Sequence, residues 1–121
     1  MKIELAVNGT RVKGELYDHP VAREFADLLP LELVFEDFNQ VEKVAPLGRS
    51  LTLRGVPDAD SPRPGEIGYH APSQGFVLYY GSPGRWPGLV RMGRFDYDLD
   101  VLRDLPDGIR IRVTPAPLPS S

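Results

Sequence analysis

Lys2-Ile3-Glu4-Leu5-Ala6-Val7-Asn8-Gly9-Thr10-Arg11-Val12-Lys13-Gly14-Glu15-Leu16 is the stretch that decides the fold class of this chain. Ile3, Leu5 and Val7 alternate with Lys2 and Glu4, the period of a half-buried strand, until Asn8-Gly9 interrupts them. That dipeptide tolerates positive φ at both positions and so favours a two-residue type I′ turn, after which the alternation resumes through Val12 and Leu16. Folding the chain there sets Leu5 opposite Val12 on one face, with Glu4 opposite Lys13 and Lys2 opposite Glu15 on the other. Apolar pattern, turn chemistry and cross-strand charge agree on one register, so the protein begins with an antiparallel hairpin.

Outward from the hairpin, Asp18-His19-Pro20 supplies a cap and a first-turn proline, and Val21, Phe25 and Leu28 follow at helical spacing until Pro30. A helix of two to three turns draws its stability from packing, so its apolar stripe is expected to plug one end of a sheet or barrel. The period returns to two at Leu31, Leu33 and Phe35, and further strands are expected from Val41 to about Leu47 and through Leu51-Thr52-Leu53. Val56 to Gly65, with its prolines and aspartates, reads as a surface loop. Short strands follow at Glu66 to Ala71, Phe76 to Tyr80, Leu89 to Phe95 and Ile109 to Val113, separated by Pro/Gly turns. Asp98 to Asp104 has room for one helical turn carrying Leu99 and Leu102 before the last strand. Residues 1–113 therefore form a single, mainly antiparallel β domain, a barrel or a sandwich, and the prolines of residues 114–121 mark an extended, disordered tail.

Composition limits the functions available. The chain has 121 residues, 41% of them hydrophobic, enough for one core without a staple. It has no cysteine, which excludes disulfides, thiolate zinc sites and cysteine nucleophiles. The polar-apolar alternation at the start is neither a signal peptide nor a membrane span, so a cytoplasmic location is expected. A net charge of -3 with both signs interspersed argues against nucleic acid or a membrane as partner.

The order of elements, hairpin, helix, short strands and a final C-terminal strand, resembles that of cyclophilins as far as Val113. Glu42-Lys43-Val44-Ala45-Pro46 stands where cyclophilins carry His-Arg-Val-Ile-Pro, and Pro64-Gly65-Glu66-Ile67 is similar to their Pro-Gly-Ile-Leu. Phe76-Val77-Leu78-Tyr79 takes the place of their Phe-Phe-Ile strand, and Trp86 through Val90 and Gly93 looks like their Trp-(loop)-Val-Phe-Gly stretch. Leu16-Tyr17-Asp18, Phe25 with Leu28-Leu29-Pro30, and Pro64 to Tyr69 resemble the small prokaryotic cyclophilin-like proteins, which are known by fold and largely without assigned activity. The resemblance implies a closed antiparallel cyclophilin-like barrel with one short helix after the first hairpin.

It does not carry an activity with it. Prolyl isomerisation must lower a barrier of about 20 kcal/mol, and in cyclophilins an arginine guanidinium beside an apolar pocket does so. Lys43 stands at that arginine's place, a flexible point charge instead of a planar fork of donors, and Glu42 replaces the preceding histidine. A weak peptidyl-prolyl isomerase is therefore an alternative reading, and a homo-oligomeric structural module is another. The leading reading is a binding module for a peptide or small molecule, with a shallow aromatic and basic groove assembled from Glu42, Lys43, Arg49, Tyr69, Tyr79, Trp86 and Arg91. Alternation sends Glu42 and Lys43 to opposite faces, and the desolvation cost of a buried ammonium predicts Lys43 outward and Glu42 inward, where it would need Arg49 or a buried tyrosine hydroxyl.

The remaining candidates have simpler explanations. His19 reads as a cap and His70 as a half-exposed strand residue; with two distant histidines, no metal site and no cofactor are expected. Glu32/Glu36 and Asp96/Asp98/Asp100 read as a solvated strand face and a charged turn, without the glycine and distal glutamate of a calcium loop. Ser73 and Ser82 lack a nucleophile elbow, and Gly81-Ser82-Pro83-Gly84 is a turn without the features of a phosphate loop.

Overall fold

A computed structural model describes residues 1–117. The strands are β1 (Lys2–Val7), β2 (Thr10–Leu16), β3 (Leu31–Phe38), β4 (Glu42–Pro46), β5 (Ala59–Asp60), β6 (Glu66–His70), β7 (Gly75–Tyr79), β8 (Trp86–Pro87), β9 (Leu89–Asp96) and β10 (Ile109–Pro115), with helices α1 (Pro20–Ala26) and α2 (Leu99–Arg103). Eight strands close into a barrel in the order β1-β10-β3-β4-β7-β6-β9-β2, and β5 and β8 form a separate two-stranded sheet. The founding hairpin has the expected register, Leu5 facing Val12, Glu4 facing Lys13 and Lys2 facing Glu15. Asn8 and Gly9 both take positive φ, 48° and 79°, as a type I′ turn requires.

Alternating residues fill the barrel. Ile3, Leu5, Phe35, Ile67, Tyr69, Phe76 and Ile111 are all at most 1% exposed, which leaves the interior without a channel. Each end carries a helix. At the α1 end, the His19 ring accepts a hydrogen bond from Ala22 N–H and caps the helix, while Phe25 stacks on Phe76 with ring centroids 5.0 Å apart. At the other end, Asp98 caps α2 and Leu102 and Leu105 are buried.

Two expectations are corrected. Leu51 to Leu53 form no strand: Leu51 is buried and its N–H donates to Tyr69 Oη at 3.0 Å, while Thr52 N–H is taken by the Glu24 carboxylate. The barrel is complete without this segment, so it covers the α1 end as irregular chain. The last strand, in turn, runs beyond Val113 into the stretch expected to be a disordered tail, with Glu4 facing Thr114 and Ile3 facing Pro115. Ala116 N–H donates to Lys2 O at 3.0 Å, so Pro115 lies one residue off a bonded pair, where its missing N–H takes nothing from the β1 ladder. The rest of the tail, residues 118–121, lies outside the described residues. Ending the chain at Val113 is accordingly expected to destabilise it by about 1–2 kcal/mol, the worth of one or two ladder bonds, in urea unfolding. An unchanged midpoint would show that the strand effectively stops at Val113.

Candidate functional site

β4 decides the site, because its alternation was legible but its facing was not. Lys43 and Ala45 point into the barrel, and Glu42, Val44 and Pro46 point out. This is the reverse of the expected orientation. The Lys43 ammonium, although 2% exposed, lies at the α2 end of the barrel, where it donates to Leu105 O at 2.8 Å and pairs with Asp37 at 3.4 Å. Tyr80 stands 6.0 Å away by ring centroid and donates its own hydroxyl to Asp37. Burial alone would push the Asp37 carboxyl up, but the bonds from Tyr80 and Lys43 outweigh it and hold the carboxyl below its ordinary range. The buried ammonium is tolerated because the mouth of the barrel supplies it with Leu105 O and Asp37, partners that the middle of a barrel does not offer.

On the outer side, β3 and β4 form the floor of a groove of about 790 Å³, walled by the loop through Ser82, Pro83 and Trp86 and closed at one end by His70 and Leu89. Val34, Phe38, Val41, Val44 and Pro46 line it with apolar side chains, and Val34, Phe38 and Trp86 are among the few large apolar side chains left exposed. Beneath it lies a second apolar cluster of Val77, Tyr79 and Leu89, with Val44 packed against it. The sequence carried one signal for this floor: Val34 and Phe38 are apolar on the strand face that the inward Leu33 and Phe35 leave outside.

Glu42 and Glu36 are the carboxylates of the groove. Burial first, and repulsion from Asp37 second, push the Glu42 carboxyl up to about 7. Its cross-strand neighbour Tyr79 is fully buried, and the Tyr79 hydroxyl finds no hydrogen-bond partner among the described residues; burial drives its ionisation far upward. His70 Nδ1 is 2.7 Å from Ser73 Oγ, and burial lowers its proton affinity.

The other expected site residues are dispersed. Tyr69 is inside the barrel, holding Leu51, and Arg49 is exposed away from the groove. Arg91 lines a smaller hollow of about 310 Å³ with Tyr17, His19, Pro57 and Asp60, and pairs with Glu66 at 2.8 Å. Burial would raise Glu66, but bonds from Arg91, Tyr17 and the Arg63 N–H prevail and keep it low. Of the seven residues, Glu42 and Trp86 line the groove and Tyr79 lies beneath it, so the groove is aromatic and acidic instead of aromatic and basic. No cluster of metal-ligating side chains occurs among the described residues.

The match to known proteins rests on this whole barrel. A model of the cyclophilin-like family matches residues 5–114. The chain belongs to the cyclophilin-like family. Its barrel is also similar to the solution structure of a hypothetical protein from Archaeoglobus fulgidus, with a TM-score of 0.69 at 17% identity over 96% of this chain and 95% of that one. At that identity the likeness shows the fold alone. No curated protein matches the chain. Among the described residues, no helix of this cyclophilin-like chain is long and apolar enough to cross a membrane.

The raised Glu42 carboxyl makes a prediction for stability. The unfolded chain releases this proton near 4.5 and the folded one near 7, so the stability contributed by the protonated form is present below about 4.5 and lost as pH rises to about 7. Glu42→Gln should match the parent at about pH 4 and exceed it above pH 7 by about 1–2 kcal/mol, allowing for solvent screening of a partly exposed group. Urea unfolding at both pH values measures this. A difference that does not change with pH would mean that Glu42 titrates as it does in the unfolded chain.

Proposed function

We propose that this cyclophilin-like barrel is a binding module whose groove over β3 and β4 takes a compact, mainly apolar ligand, a small molecule or a short peptide segment. The observation that carries this reading is the coincidence of a groove of about 790 Å³ with Val34, Phe38 and Trp86, three exposed large apolar side chains gathered in one place. That volume suits a small organic ligand, and a largely apolar lining with a few polar groups is the usual makeup of such sites. An isomerase reading draws no support here. Lys43, at the position of the cyclophilin arginine, turns its ammonium into the barrel, and among the described residues neither lysine nor arginine lines the groove to polarise a prolyl amide.

Trp86 is the only tryptophan in the chain, so its emission reports on the groove wall. Titration with a panel of aromatic fragments and short proline-containing peptides should give a saturable change for some members, with amide shifts confined to β3, β4 and residues 82–89. Val34→Asp and Phe38→Asp, both at exposed positions, should weaken those members about tenfold or more through loss of apolar contact. A panel that leaves Trp86 emission and the groove amides unmoved at millimolar concentration would overturn the reading. Emission that changes with protein concentration alone, with a dimer in sedimentation, would show the groove covered by a second copy.

A further inference from the structure

We propose that the groove's ligand is a small amphipathic cation, an ammonium or guanidinium on an apolar body, with its charged head at Glu42. This rests on the groove being a ligand site and adds the chemistry of what it takes. Charge complementarity inside an apolar surround selects this ligand class. Among the described residues, Glu42 and Glu36 are the formally charged ones lining the groove, and no lysine or arginine lines it. Two nearby cations are committed elsewhere, Lys43 to Leu105 O and Asp37 on the inner side of the same strand and Arg91 to Glu66 in the other hollow, while Arg85, on the wall loop between Pro83 and Trp86, is exposed and is not among the groove-lining residues. His70, held to Ser73 and desolvated, does not supply a positive charge at neutral pH.

Nor does the fold satisfy the Glu42 carboxylate from below. The hydroxyl of Tyr79, its cross-strand neighbour, makes no hydrogen bond among the described residues, so it does not reach this carboxylate. A carboxylate flanked by Val44, Phe38 and Val41, and repelled by Asp37, gains most from a partner that arrives with a positive charge and its own apolar cover. Trp86 on the facing wall adds an aromatic surface suited to such a cation. The source is a small molecule because a groove of about 790 Å³ has the size of a small-molecule site, and β4 and β7 on its floor are paired on both sides and offer no edge for an added strand.

Three probes of one shape separate the possibilities: phenethylamine, 2-phenylethanol and 3-phenylpropionate, followed by Trp86 emission and by amide shifts in the full chain. At about pH 8 the amine should bind about tenfold tighter than the alcohol, with the carboxylate weakest, the margin expected of one charge-assisted contact. In Glu42→Gln, whose fold is checked by its amide spectrum, the amine's advantage should shrink to about twofold or less. Lowering the pH to about 5.5 should have the same effect in the parent: the titratable groups on the groove side are Glu36 of β3, His70 with its lowered proton affinity and the neutral Tyr79 of β7, while Asp37 and Lys43 pair on the other face and Asp37 acts on Glu42 only through its charge. Equal affinity for amine and alcohol, or an amine advantage that survives Glu42→Gln, overturns the cation assignment while leaving the groove a ligand site. Silence from all three probes overturns both readings when the broader fragment panel is silent too, and the cation reading alone when it is not.

Discussion

Replacing Phe25 with alanine is expected to cost about 3–5 kcal/mol of folding stability, the range for emptying a fully buried aromatic site. Phe25 is 0% exposed, and its ring bridges α1 to the barrel by stacking on Phe76, which in turn meets Phe35 edge-on at 5.9 Å. The three rings form a continuous column from the helix into the core, so the void left by alanine would open at the top of that column. With only seven residues, α1 cannot refold onto the gap by propensity of its own. Urea unfolding of the variant measures the loss; a cost under about 1 kcal/mol would mean that α1 covers the barrel without plugging it.

Gly93→Ala is expected to be at least as damaging, on the order of 4 kcal/mol or more, and for a different reason. A Cβ on Gly93 would fall far inside contact distance of the Glu15 carbonyl oxygen and 3.0 Å from Leu16 Cα, both backbone atoms of β2. No side chain can rotate away to relieve this. The β2–β9 seam would have to part where Leu16 pairs with Gly93, beside the irregularity in the β6–β9 register, and that seam closes the barrel. Gly9→Ala offers the contrast: its Cβ would meet nothing, and only its positive φ of 79° resists the change. Thermal unfolding should place Gly93→Ala well below Gly9→Ala; the reverse order would show that the seam is slack.

The groove and the Lys43 mouth stand on opposite faces of one strand and divide its polar chemistry between them. The ammonium is spent on holding the α2 end to the barrel wall, whereas the carboxylate is left in the groove with an elevated proton affinity. A chain selected only for stability would gain from an apolar or amide residue at Glu42, which is why this position carries the binding proposals above.

How much of this was legible in the sequence follows from what each signal can encode. Asn8-Gly9 with its flanking alternation determined the first hairpin down to its pairs, because a type I′ turn and a period of two together leave one register. The spacing of Val21 and Phe25 after Pro20 determined α1 and its buried face in the same local way. Alternation also placed Glu42 and Lys43 on opposite faces of β4, but a period of two is silent on which face is inside. Closure of eight strands settled that, and it put Lys43 where Leu105 O and Asp37, distant in sequence, could receive it. The Leu51-Thr52-Leu53 run and the stretch after Val113 show the same limit. Whether a short apolar run becomes a strand depends on a free neighbour to pair with: the barrel had none for Leu51 to Leu53 and had β1 for Thr114 and Pro115. The groove too belongs to the tertiary structure alone, since it exists only where the loop through Trp86 stands over the outer face of β3 and β4.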